Sequence, residues 1–88
     1  MSLRIALPKP YVGTVHLGEC RLDQDVVVVT VDLPPESRLR MREVGVHAGA
    51  VVRVTHRGPS GGRVVAVGGA RLALDAATTT TVQVEDAR

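Results

Sequence analysis

The chain is almost without aromatic side chains: Tyr11 stands alone, and Phe and Trp are absent. Two kinds of binding surface are thereby excluded. Single-stranded nucleic-acid sites stack bases on aromatic platforms, and grooves for proline-rich peptides are lined by aromatic rings. One tyrosine builds neither. The core must instead be aliphatic, drawn from the Val, Leu, Ile, Met and Ala that dominate the 44% hydrophobic fraction.

Cysteine is equally scarce. Cys20 is the only one, so no intrachain disulfide can form and a reducing compartment is compatible. Apolar runs are short: the longest, Val26 to Val31 with Thr30 counted, is strand-sized, far below the ~20 residues of a membrane-spanning helix. The N-terminus shows no secretory pattern, and a cytoplasmic location is expected. A charge of one sign is missing as well. Eleven Lys and Arg against nine Asp and Glu leave a net charge of +2. Ten of the eleven basic residues are Arg, Lys9 being the exception. An arginine bias suits phosphate binding, but an excess this small and this scattered argues against nucleic acid as the partner.

What is present fits one small domain. A chain of 88 residues buries only about 60% of the surface it exposes when unfolded, so local signals must agree with the fold. Residues 1–16 alternate weakly and contain Pro8 and Pro10, which remove ladder donors, so they read as an extended arm or an edge strand. Residues 17–88 read as the folded domain. Within it, Val26-Val27-Val28-Val29-Thr30-Val31 is the clearest strand, β-branched throughout and apolar on both faces, as a buried central strand requires. Pro34 and Pro35 end it. A short helix is predicted over Ser37 to Gly45, with Ser37 as N-cap, Met41 and Val44 on one face, and Gly45 in a left-handed C-terminal position with Val46 folding back on Met41.

Val52 and Val54 then alternate with Arg53, Thr55 and Arg57, a period of two. Gly58-Pro59-Ser60-Gly61-Gly62 is a turn cluster, Arg63 to Val67 a second strand, and Gly68-Gly69 a two-residue hairpin turn into Arg71-Leu72-Ala73-Leu74. Asp75 is placed to cap one helical turn, and Thr80 to Glu85 forms a last strand with Val82 and Val84 inward. The expected fold is mainly β: a small five-stranded SH3-like barrel with one or two short helices.

Chemistry-bearing residues are sparse. His16, His47, His56 and Cys20 show no short ligand spacing beyond His16 and Cys20 at i and i+4, so scattered surface histidines are expected and no metal site. Neither Ser60 nor Cys20 has a base beside it. The Gly-Pro-Ser-Gly-Gly loop lacks the Lys of a phosphate-binding loop. Asp23 and Asp25 read as solvated loop residues. No catalytic residue, no cofactor and no enzymatic activity are predicted. Arg53, Arg57, Arg63 and Arg71 can form one exposed stripe across the meander. It is either a solvated sheet face whose arginine stems cover apolar surface or a partner surface. With Pro59 and Ser60 at the hairpin tip, it is the best candidate for partner binding, because loops on a rigid barrel commonly carry function.

From Ser37 onward the chain resembles the FeoA family. The segments that carry the likeness are LRMREVGVHAGAVVRV, GGRVVAVGGARLALD and TTVQVE. Glu43-Val44-Gly45-Val46 and Gly49 stand where the family has an arginine-rich helix ending in Glu-apolar-Gly-apolar and then a Gly link. Gly69 and Arg71-Leu72-Ala73-Leu74 match its Gly and following strand, and Val82-Gln83-Val84 its closing strand. Two departures stand out. The family's opening L-x-x-L-x-x-G helix is blurred in Leu17-Gly18-Glu19-Cys20-Arg21-Leu22, and Asp23-Gln24-Asp25 stands where a Gly is expected. The arm through His16 is not a family requirement. The resemblance implies a non-catalytic accessory of bacterial ferrous-iron transport that acts on FeoB, the GTP-dependent transporter. It also implies kinship with the C-terminal barrel of DtxR-type iron-responsive repressors. Two alternatives stand beside it: a small barrel binding nucleic-acid phosphates through the arginine stripe, or a regulatory barrel related to that repressor domain. Edge strands leave a weak homodimer open.

Overall fold

The computed structural model describes residues 13–87. The stretch 1–16 therefore lies largely outside the described residues. Its last two residues form the first strand, β1 (Val15–His16), followed by β2 (Asp25–Val31), α1 (Pro35–Glu43), β3 (Val51–Arg57), a single 3₁₀ turn (Pro59–Gly61), β4 (Arg63–Val67), β5 (Ala70–Leu74), α2 (Ala76–Thr79) and β6 (Val82–Asp86). All six strands join one antiparallel sheet in the order β1-β6-β2-β3-β4-β5. The sixth strand, beyond the five of the expected barrel, is β1 at the end of that order, within the stretch read as an extended arm or an edge strand; it pairs Val15 with Val84 and His16 with Gln83. Two residues are too few for alternation to reveal a strand. Only the partner defines it.

β2 is the central strand the valine run promised, hydrogen-bonded to β6 on one side and β3 on the other. It is not uniformly buried on both faces. Val26 and Val28 enter the core, a bulge at Val29 shifts the register, and Val31 enters next. A second bulge falls at Thr55 in β3, where Val54 pairs with Val65 but His56 pairs with Val64. Bulges bend the strand that carries them and increase its twist. The curled sheet encloses one aliphatic cluster built on Val28, Val52, Val54, Val65, Val82 and Val84, closed by Leu17, Met41 and Val46. The inward assignments of Val52, Val54, Val82 and Val84 match the structure.

The helix cap lies three residues earlier than its sequence suggested. Pro34 is the N-cap and Pro35 the first helical residue, and no side chain caps the end. Proline is favoured there because its fixed φ suits the first turn and its missing N–H is one of the donors that lacks a partner anyway. Ser37 thus sits inside the first turn. The far end is as expected. Val46 N–H donates to the Met41 carbonyl (2.8 Å) and Gly45 N–H to the Arg42 carbonyl (3.0 Å), the paired bonds of a Schellman ending. Gly45 carries φ of +98°. Of the two residues assigned to the helix's core face, only Met41 is buried; Val44 is exposed.

Leu17 to Leu22 forms turns, not a helix. Leu17 is fully buried and donates its N–H to the Val82 carbonyl. Asp23 holds a positive φ of 62°, a conformation Asp tolerates better than most residues, which explains how the chain turns where a Gly was expected. At the Gly68-Gly69 turn only Gly68 has positive φ, the pattern of a II′ turn instead of a I′ turn. Asp75 caps α2, its carboxylate accepting from Thr78 N–H at 2.8 Å.

Candidate functional site

The bulge at Thr55 decides the fate of the arginine stripe. Before it, the register sets Arg53 beside Ala66 and Ala66 beside Arg71, so Arg53 and Arg71 share the outer face. After it, Arg57 lies beside Arg63 and Arg63 beside the buried Leu74. Arg63 and Ala66 are three apart on β4, so these two rows face opposite ways. The four arginines are therefore two pairs, not one stripe.

Each pair is also partly committed. Arg53 is held by Asp25 across the β2–β3 ladder, with Nε and Nη2 both 2.8 Å from Oδ1. That bond and the carboxylate's charge push the Arg53 guanidinium further above its ordinary range. Arg63 is half-buried and donates to three carbonyls: Gly61 and Gly62 at 2.8 Å through Nη1, and Gly18 at 2.7 Å through Nη2. Gly18 is 45 residues away in sequence, so this guanidinium ties the hairpin tip to the turn before β2. Its role is structural. Arg57 and Arg71 remain exposed, as do Pro59 and Ser60 at the tip. The tip is rigidly built: Gly58 N–H donates to the Gly62 carbonyl at 2.9 Å, and Ser60 sits at a φ of 59°.

Cys20 is buried, its Sγ 3.3 Å from the Leu17 carbonyl. Burial pushes its thiol up, only partly countered by a backbone hydrogen bond and the nearby Arg63 and Arg57 charges. A thiol held protonated is a poor nucleophile. His16 turns back on its own segment: Nδ1 accepts from Gly18 N–H at 3.1 Å, and Nε2 lies 3.4 Å from Glu19. The His47 and His56 rings hydrogen-bond to chain neighbours, the Ala48 carbonyl and the Thr55 hydroxyl, each at 3.0 Å. Among the described residues, no group of three or more His, Cys, Asp or Glu is placed to hold a metal ion, and no helix is long and apolar enough to cross a membrane.

A concavity with apolar lining lies beside α1. A groove of about 480 Å³ runs between the helix and the His47–Ala48 link, with Val31, Pro35, Leu39 and Ala48 as its apolar lining and Arg38, Arg42 and His47 as its polar one. Leu39 is 56% exposed. Nothing in the sequence reading singled it out, yet a signal existed. Leu39 is two residues from Met41, about 200° around the helix, so an apolar residue between two arginines sits opposite the core face.

The model of the FeoA domain family matches residues 15–86. Among solved structures, the zinc-complexed FeoA of Stenotrophomonas maltophilia, described as a prokaryotic SH3 domain protein, is 36% identical. The alignment covers 81% of this chain and 89% of that one, with a TM-score of 0.66. An iron uptake regulatory protein (FeoA) is 26% identical over 82% of this chain and 94% of its own, with a TM-score of 0.71. A manganese-dependent transcriptional repressor shares the fold at 21% identity and a TM-score of 0.72, over 83% of this chain and 41% of its own. No curated protein sequence matches the chain.

Proposed function

Because the chain belongs to the FeoA domain family, we propose that it is a non-catalytic accessory of bacterial ferrous-iron transport, working in the cytoplasm by binding a FeoB-like GTPase transporter. The observation that carries this reading is the family match across residues 15–86, nearly the whole described part of the chain. The surface chemistry supports a binding role. Cys20 is buried, with its thiol pushed up by that burial, and His16 turns back on its own segment. The one hydroxyl–imidazole hydrogen bond among the described residues, Thr55 with His56 at 3.0 Å, joins neighbours on the exposed outer side of β3, and no third group there orients the ring. The nucleic-acid alternative needs a continuous basic stripe, and the strand register divides those arginines between two faces.

The test is uptake of radiolabelled ferrous iron in cells with the coding sequence deleted and restored, paired with co-purification of the transporter. Lower uptake on deletion, restored by the wild-type chain, together with a recovered transporter, is the expected outcome. Unchanged uptake and a transporter that never co-purifies would overturn the proposal.

A further inference from the structure

Helix α1 has nine residues, and only Met41 among them is buried. A helix this short is held by what it packs against, so its outward face is left for another purpose. That face carries Leu39, a large apolar side chain more than half exposed, directly over the groove. Arg38 and Arg42 lie one helical turn apart on the same groove, with His47 opposite on the link to β3. Among the described residues, neither arginine forms an ion pair; Arg38 reaches only the Leu33 carbonyl, at 3.4 Å. The acidic side chains of the helix, Glu36 and Glu43, do not line the groove. An apolar floor with unneutralised cations along one rim is complementary to an apolar side chain flanked by carboxylates.

We propose that this groove is a docking site for an acidic segment of a partner protein, which seats one or two aliphatic side chains against Leu39, Val31 and Ala48 and sets carboxylates on Arg38 and Arg42. Charge selects this occupant over the chain's own N-terminal stretch. Residues 1–12 contain Arg4 and Lys9 and no Asp or Glu, so they would add positive charge to a positive rim. Arginine suits the task because its planar fork grips a carboxylate through two parallel hydrogen bonds. The proposal deepens the transport reading, since it says where on this domain the transporter would be held.

The experiment measures binding of the purified cytoplasmic part of the transporter to wild type, Leu39→Asp, the double variant Arg38→Glu/Arg42→Glu, and Arg21→Glu, an exposed arginine away from the groove. Thermal melts of all four verify the fold; the substituted side chains are solvent-facing, so melting should hold. Loss of affinity by at least about tenfold in both groove variants, with Arg21→Glu within threefold of wild type, is the expected result. Weakening of wild-type binding with added salt should accompany it. If the wild type binds and the groove variants bind as well, or Arg21→Glu loses as much affinity as they do, the transport reading stands and the groove assignment falls. If the wild type does not bind, a synthetic helix with Glu and Leu on one face decides the groove by itself. Amide shifts centred on Leu39 and Ala48, lost when its Glu residues become Lys, uphold the assignment; shifts elsewhere or none overturn it.

Discussion

Replacing Arg63 with Ala tests the claim that this arginine belongs to the fold and not to a binding surface. One guanidinium supplies three hydrogen bonds of 2.7 to 2.8 Å, to Gly18, Gly61 and Gly62. A hydrogen bond from a charged donor contributes about 1.5–3 kcal/mol net. Three on one head group are not independent, since truncation removes them together. Some of the loss is returned, because Arg63 Nε is buried without a partner and its desolvation cost disappears with it. The freed carbonyls of the exposed tip can also turn to water, whereas Gly18 is half-buried. A net cost of about 2–3 kcal/mol follows. For a domain of this length that lowers the melting temperature by roughly 10–20 °C.

Urea and thermal unfolding followed by far-ultraviolet circular dichroism give the number directly. Two companions sharpen it. Arg63→Lys keeps the charge but has a point-like ammonium that cannot span three carbonyls, so it should fall between wild type and Ala. Arg57→Ala removes the neighbouring arginine, which makes none of these bonds, and should cost less than about 0.5 kcal/mol. Arg63→Ala within 0.5 kcal/mol of wild type, or Arg57→Ala costing as much as Arg63→Ala, would refute the assignment of a structural tie to this residue.

Gly45→Ala should destabilise the fold by at least about 1–3 kcal/mol in the same unfolding assay, because the site has φ of +98° and an added Cβ would lie 2.6 Å from Val67 Cγ1. Gly68→Ala is the useful contrast, since positive φ is its only obstacle and no atom lies within 4 Å of its Cβ position. The Asp75 carboxyl is held below its ordinary value, first by the Thr78 side-chain hydrogen bond and then by the Thr78 backbone one. Its stabilising contribution is therefore present above the unfolded aspartate value of about 3.9 and is lost as pH falls through the lower folded one. Asp75→Ala should accordingly be less stable than wild type at pH 7, with the gap closing when melts are repeated into acid. Burial raises the Cys20 thiol, so its part in stability is whole below the unfolded thiol value of about 8.5 and declines as pH rises through the folded one. Alkylation by iodoacetamide at pH 8 should be at least about tenfold slower in the native protein than in urea.

Much of the fold was legible residue by residue because those decisions are local. Six consecutive β-branched residues, Val26 to Val31, favour a strand and disfavour a helix through their restricted χ1. Gly45 followed by Val46 writes a Schellman ending into the chain, and Asp75 before Ala76 writes a cap. The inward valines of β3 and β6 follow from a period of two. Where a signal was ambiguous, the nearer residue won. Ser37 is a good cap by type, but Pro35 two positions earlier has its φ already set for a first helical turn.

The proposed partner surface was less legible, because it depends on pairings between distant strands. The sequence alone determined an aliphatic, mainly β fold, the ending of α1, the Asp75 cap of α2, and the family to which it is similar, since each rests on side-chain type and short-range spacing. Only the tertiary structure decided between arm and edge strand at Val15–His16, since two residues acquire strand identity from β6 alone. It also decided which arginines stand together. A bulge at Thr55 adds one residue to β3 opposite β4, and one extra residue reverses the face of every side chain beyond it. Alternation predicts Arg53 and Arg57 side by side; the ladder sends Arg53 to solvent beside Arg71 and Arg57 to the row of Arg63, 45 residues from the carbonyl of Gly18 that Arg63 binds.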